Sequence, residues 1–163
     1  MKVQATPSLK GRALRWLSMR EYTRAELGQR LAPFEEAPGQ VQAILDELEK
    51  KGLLSDTRAA QSLVYRRQAR LGATRIRQEL RNKGVPAELV AEQVDALRST
   101  ERERAQAVWA QKFGAPATDR NGQMRQMRFL AARGFAGDAI RAVVPAATGV
   151  GPDDSQDSPG FDG

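Results

Sequence analysis

A basic–glycine–apolar triplet occurs three times in this chain: Lys51-Gly52-Leu53, Lys83-Gly84-Val85 and Arg133-Gly134-Phe135. Each follows a stretch whose apolar residues recur at helical spacing. Glycine takes the positive φ that ends a helix. The apolar residue packs back on the last turn, and the basic side chain favours the negative helix end. A chain punctuated in this way folds as short helices. The triplets also belong to a repeat. Leu27, Leu80 and Leu130 are separated by 53 and 50 residues, and the offsets Leu80 to Val94 and Leu130 to Val144 are both 14. The second and third units match closely. The first is divergent: its triplet closes a third helix rather than a second, and a longer loop precedes it. Units this small bury little alone and must stack on their neighbours. The expected fold is all-α, with three tandem three-helix repeats in an elongated, curved array. The units span 9–54, 55–98 and 99–145, after a flexible lead-in (1–8) and before a disordered acidic tail (146–163).

Nine helices can be placed by periodicity and end signals. Ser8 caps the first, with Leu9, Ala13, Trp16 and Leu17 along one face. Thr23 and Glu26 form a capping box for the second, flanked by Tyr22 and Leu27 at the staple positions. Pro38 suits the first turn of the third, which carries Val41, Ile44, Leu45 and Leu48. Ser55 or Asp56 caps the fourth (Ala60, Leu63, Val64), and Gly72 is expected to end it. Thr74 opens the fifth (Ile76, Leu80), and Pro86 the sixth (Leu89, Val90, Val94, Leu97). Thr100 and Glu103 make a second capping box for the seventh (Ala105, Val108, Trp109, Phe113). Asp119 or Asn121 caps the eighth (Met124, Met127, Leu130, Ala131). The ninth begins near Asp138 and carries Ile140, Val143 and Val144. Trp16 and Trp109 fall in core phase rather than on a nucleic-acid stacking face.

Most enzyme chemistry lacks its parts here. The 163 residues include no cysteine and no histidine. The common zinc sites, the Ser–His and Cys–His pairs and imidazole acid–base catalysis are therefore excluded. No Gly-Lys pair offers a phosphate-binding loop. The carboxylates mostly precede a base by one helical turn: Glu26–Arg30, Asp46–Lys50, Glu47–Lys51 and Glu79–Lys83. Such pairs are worth roughly 0.2–0.5 kcal/mol each and read as solvated helix pairs. The chain is expected to bind rather than catalyse, with no catalytic residue, cofactor or metal. No apolar run approaches the roughly 20 residues of a membrane span, and the lack of cysteine fits a reducing cytoplasm; a soluble cytoplasmic protein, monomeric, is expected.

Charge gives the positive lead. All 26 basic residues lie before Pro145, with 16 of the 20 acids, so that body carries +10 (26 − 16). Twenty of the 26 are arginines, whose planar forks suit phosphates and carboxylates. Arg66, Arg67, Arg70, Arg75, Arg77, Arg81 and Lys83 crowd into 18 residues of the middle unit. Arg125, Arg128 and Arg133 form a lesser group in the third. These ten are the candidate contacts to an acidic partner.

An ordered set of segments resembles the bacterial RecX regulatory proteins. The segments are Arg20-Glu21-Tyr22-Thr23-Arg24-Ala25-Glu26-Leu27, Gly52-Leu53-Leu54-Ser55-Asp56, Gly72 to Leu80 with Arg75 and Ile76, Lys112-Phe113, and Arg128-Phe129-Leu130-x-x-Arg133-Gly134-Phe135. The likeness runs from about Leu9 to Val144. One departure is Ala59, near which the family usually carries an aromatic. The resemblance implies a modulator, usually an inhibitor, of the RecA recombinase. Such a protein lies in the groove of the RecA–DNA filament and depresses strand exchange, ATP hydrolysis and co-protease function. It affects DNA repair and the SOS response in this way, and weak non-specific DNA binding goes with it. The alternative from the residues alone is a direct DNA-binding module of helix-turn-helix type, which would select an operator sequence.

Overall fold

The computed structural model describes residues 5–149. Ser8 accepts a hydrogen bond from the Gly11 amide and starts α1 (Leu9–Met19). Thr23 does the same for Glu26 N–H at the head of α2 (Arg24–Leu31). A 3-10 turn at Ala32–Phe34 leads to α3 (Gln40–Lys50). Then come α4 (Asp56–Arg67), α5 (Ala73–Asn82) and α6 (Ala87–Arg98), followed by α7 (Glu101–Lys112), α8 (Arg120–Ala132) and α9 (Gly137–Val143). There is no strand among the described residues. The expected acidic tail lies outside them from residue 150 onward, as do residues 1–4 of the lead-in.

The core falls into three clusters, one per helix triplet. The first is built on Leu27, Leu31, Leu45 and Leu48, the second on Leu63, Ile76, Leu80 and Val94, the third on Trp109, Leu130, Phe135 and Ile140. Extensive helix packing lies inside each triplet, except where α6 meets α7. Truncating one of the fully buried leucines to alanine costs about 2–5 kcal/mol. Ala59 and Ala60 are both buried in α4.

Several local signals act differently from their sequence reading. The third helix starts at Gln40 behind Gly39, not at Pro38, which sits in the preceding turn. Gly72 does not end the fourth helix. That helix stops at Arg67, and Gly72, in extended backbone, heads α5. Thr100 makes no cap; its hydroxyl donates to Leu97 O and accepts from Arg104 Nε. In α8, Met124 and Ala131 face outward, and the buried position is taken by Gln126. Its amide accepts from Trp109 Nε1 at 3.0 Å and donates to Ala115 O at 3.1 Å.

The triplets do end helices with positive φ, at Gly52 (73°), Gly84 (74°) and Gly134 (86°). The amides of Leu53, Val85 and Phe135 return to the carbonyls of Leu48, Leu80 and Leu130. Val85 and Phe135 are buried, but Leu53 is 45% exposed and Leu54 takes its place. Of the four expected helix pairs only Glu47–Lys51 forms. Glu26 turns to Arg20 and Lys83, Asp46 to Arg24, and Glu79 to Arg67.

Candidate functional site

The junctions between triplets decide which basic residues are available. At the first junction the Thr23 hydroxyl donates to Lys83 O, and Arg24 N–H donates to the Asp56 carboxylate at 2.8 Å. At the second, Gly72 N–H donates to Arg133 O at 2.8 Å and Ala73 N–H to the Glu101 carboxylate at 3.0 Å. The two junctions share one plan. The carboxylate that opens the next unit's first helix caps the first amide of the preceding unit's second helix. Glycine of the triplet then packs against that same helix: a Cβ on Gly84 would strike Ala25, and one on Gly134 would strike Arg75.

This plan fixes the repeat register. Arg24 corresponds to Ala73, so Leu27 corresponds to Ile76 and Leu31 to Leu80. The leucine comparison that pairs Leu27 with Leu80 is therefore one helical turn out.

The junctions consume several of the ten candidate residues. Lys83 Nζ pairs with Glu26 at 2.9 Å. Arg75 donates to Ala132 O at 3.1 Å. Arg67 pairs with Glu79 inside the middle unit at 3.1 Å. The Arg133 guanidinium lies 3.7 Å over the Phe129 ring, and Arg66 donates back to Ser62 O. Arg70, Arg77, Arg81, Arg125 and Arg128 have no side-chain hydrogen bond or ion pair among the described residues. These five guanidiniums are engaged by neither an acceptor nor a ring among the described residues, whereas Arg133 keeps only its in-plane donors beside its stack on Phe129. Arg77 and Arg81 lie one turn apart on α5.

Arg77 opens onto a groove of about 460 Å³ between the second and third triplets. Arg98 and Arg102 line the same groove. Arg98 has only a loose pair with Asp95 at 3.5 Å, on the exposed surface. Neither residue stands in a dense basic run, which is why charge clustering along the chain passes over them. The groove also carries Glu101 and Asp138, each already accepting a backbone N–H. Two residues on from Arg102 along α7, Arg104 donates to Gln68 O at 2.9 Å and Leu71 O at 2.7 Å. Burial pulls this guanidinium below its ordinary value, and the nearby Glu101 charge opposes the shift. Arg104 is a structural tie rather than a free contact.

The arrangement offers guanidinium forks suited to oxyanions, and no group of three or more Asp or Glu among the described residues is placed to hold a metal ion. No helix among the described residues is long and apolar enough to cross a membrane.

Comparison with known proteins gives the same fold and a family. Residues 55–92 match the model of the second three-helix domain of RecX, and residues 100–144 that of the third. The regulatory protein RecX of Leptothrix cholodnii is 49% identical over 137 residues, covering 84% of this chain and 87% of the relative. That of Herminiimonas arsenicoxydans is 45% identical over 139 residues, covering 85% and 92%. The crystal structure of RecX from Lactobacillus salivarius superposes with a TM-score of 0.71 at 22% identity, covering 83% of this chain and 91% of that one.

Proposed function

This chain belongs to the RecX family of regulatory proteins, and from that premise we propose that it binds the groove of the RecA–DNA filament and inhibits RecA. In this reading the units 9–54, 55–98 and 99–145 lie along the groove. The protein lowers the recombinase, ATPase and co-protease activities of RecA, and so modulates DNA repair and the SOS response. It acts by binding, as a cytoplasmic monomer, with no turnover of its own. Its affinity for bare DNA is weak, non-specific and strongly salt-dependent.

The observation that carries the reading is the set of guanidiniums without internal partners on the second and third units. Arg70, Arg77 and Arg81 are the core of the contact, with Arg125 and Arg128 on the third unit. Arg98 and Arg102 extend it beside Arg77. A modular helical array can contact more than one subunit of a filament, and arginine forks suit both acidic side chains and phosphates. The test is RecA's DNA-dependent ATPase, measured with this protein at substoichiometric ratios. Inhibition is expected; unchanged hydrolysis defeats the proposal.

A further inference from the structure

The first unit carries a feature that the arginines of the other two do not explain. Six side chains, all but the buried Tyr22 reaching solvent, form a continuous ladder that for most of its length alternates between guanidinium and ring. Arg12 lies 3.9 Å over the Phe34 ring. Phe34 meets Trp16 at a centroid distance of 6.4 Å. Arg30 lies 4.5 Å over Trp16 and 5.7 Å from Tyr22, and Arg20 lies 3.6 Å over the other end, at Tyr22. The elements are α1, the end of α2 and the 3-10 turn, brought together by the first core.

Two of the three ladder arginines differ from their neighbours; the third, Arg20, is held by Glu26 at 3.0 Å. Arg24 and Arg58 are held by carboxylates at 2.7 and 3.0 Å. Arg12 and Arg30 are held by rings. Arg30 gives one N–H to the Tyr22 hydroxyl at 2.6 Å, and Arg12 gives none among the described residues. Stacking uses the face of a guanidinium and leaves its in-plane donors free. The result is a pair of fixed forks, Arg12 and Arg30, with no anion in them. Two apolar side chains here are exposed, Phe34 within the ladder at 41% and Met19 beside it at 75%. Met19 is three residues from Trp16 on α1, hence on the same face.

We propose that this ladder is a protein-docking surface, taking an acidic partner segment that also presents apolar side chains. Arginine, tryptophan, tyrosine, phenylalanine and methionine are the residues enriched at such interfaces, whereas lysine is depleted. A nucleic-acid strand fits less well. Successive bases need open rings to stack on, and here each ladder ring already has a guanidinium or another ring against it, with Tyr22 buried besides. The inference rests on the RecA reading: it assigns protein contact with the filament to the first unit and leaves the open arginines of the other two units for acidic or phosphate surface.

The test compares the intact chain with an Arg12→Lys, Arg30→Lys variant. Lysine keeps the charge and removes the planar fork. Affinity is measured for RecA filaments on single-stranded DNA and, in parallel, for the same strand alone. About a tenfold loss on the filament with little change on the bare strand is expected. Unchanged filament affinity overturns the inference, and so does an equal loss on both ligands, which would mark a nucleic-acid surface. If the unsubstituted chain does not bind the filament, the RecA reading falls and takes the inference with it. If it binds and the variant matches it, only the inference falls. Arg12→Gln, at a side chain with no hydrogen bond to lose, carries the same readouts should the double variant fold poorly.

Discussion

The Glu101 carboxylate accepts a hydrogen bond from Ala73 N–H at 3.0 Å, across 28 residues of sequence. Glu101 opens α7 and Ala73 opens α5, so one helix start caps another. Glu101 is buried, and the first turn of α5 carries no acidic residue of its own. Asp56 and Arg24 repeat the relationship at the other junction.

Removing that carboxylate should loosen the second junction. Glu101→Ala leaves a buried amide unpaired, a loss of about 1–3 kcal/mol. Glu101→Gln retains an acceptor and should lose less. Urea midpoints for the two variants check the order. Equal and negligible shifts would contradict the junction's role.

Glycine substitutions separate conformational strain from close approach. Gly52→Ala meets open space and should cost about 1 kcal/mol for its positive φ alone. Gly134→Ala adds a Cβ only 2.5 Å from the Arg75 amide nitrogen and should cost clearly more. Thermal melts of both variants, compared with the parent, read the difference.

Charge reversal at Arg70, Arg77 and Arg81 together should abolish RecA inhibition while circular dichroism shows unchanged helicity. Arg67 is unsuitable for such a set, because its reversal puts a like charge against Glu79. A folded triple variant that still inhibits would rule these residues out as the contact.

Glu47 supplies an acid-side signal. It accepts from Lys10 and Lys51, both at 2.7 Å, and these ammonium groups hold its carboxyl down at about 2. The depressed value places its stabilisation above the ordinary carboxylate range, and protonation removes it as pH falls toward 2. Glu47→Gln should flatten the loss of stability between about pH 4.5 and 2. Because the pair is exposed, added salt should shrink the difference. Melting temperatures across that range, at two salt concentrations, decide it.

Local features were legible in the sequence because their causes are local. Ser8, Thr23, Ser55 and Asp119 accept from an amide three residues on, a distance that pattern reading sees. The triplet glycines are legible for the same reason. Partners far away in sequence are not. Glu26 has a base four residues on, yet it reaches Lys83 at a separation of 57. Thr100 and Glu103 have the spacing of a capping box, but Arg104 occupies the hydroxyl and the neighbouring Glu101 serves another helix. The candidate contacts divide along the same line. Arg75 and Lys83 are spent on neighbouring units, whereas Arg98 and Arg102 gain importance only where α6 and α7 bring them beside Arg77. Trp109 is core, as its phase predicts, and its indole N–H found a buried glutamine that periodicity would have made apolar.

The capping relay between units gives the chain a polarity. Each second helix is completed by the unit that follows, so α2 waits for Asp56 and α5 for Glu101. On the third such helix, α8, Asp119 accepts from Gly122 N–H, as Thr23 does from Glu26 N–H on α2, and Thr148 N–H closes back on Ala117 O just before it. Because the Asp56 and Glu101 caps each come from the unit downstream, loosening one unit uncovers the first amide of the second helix before it, so instability in this fold should spread toward the N-terminus.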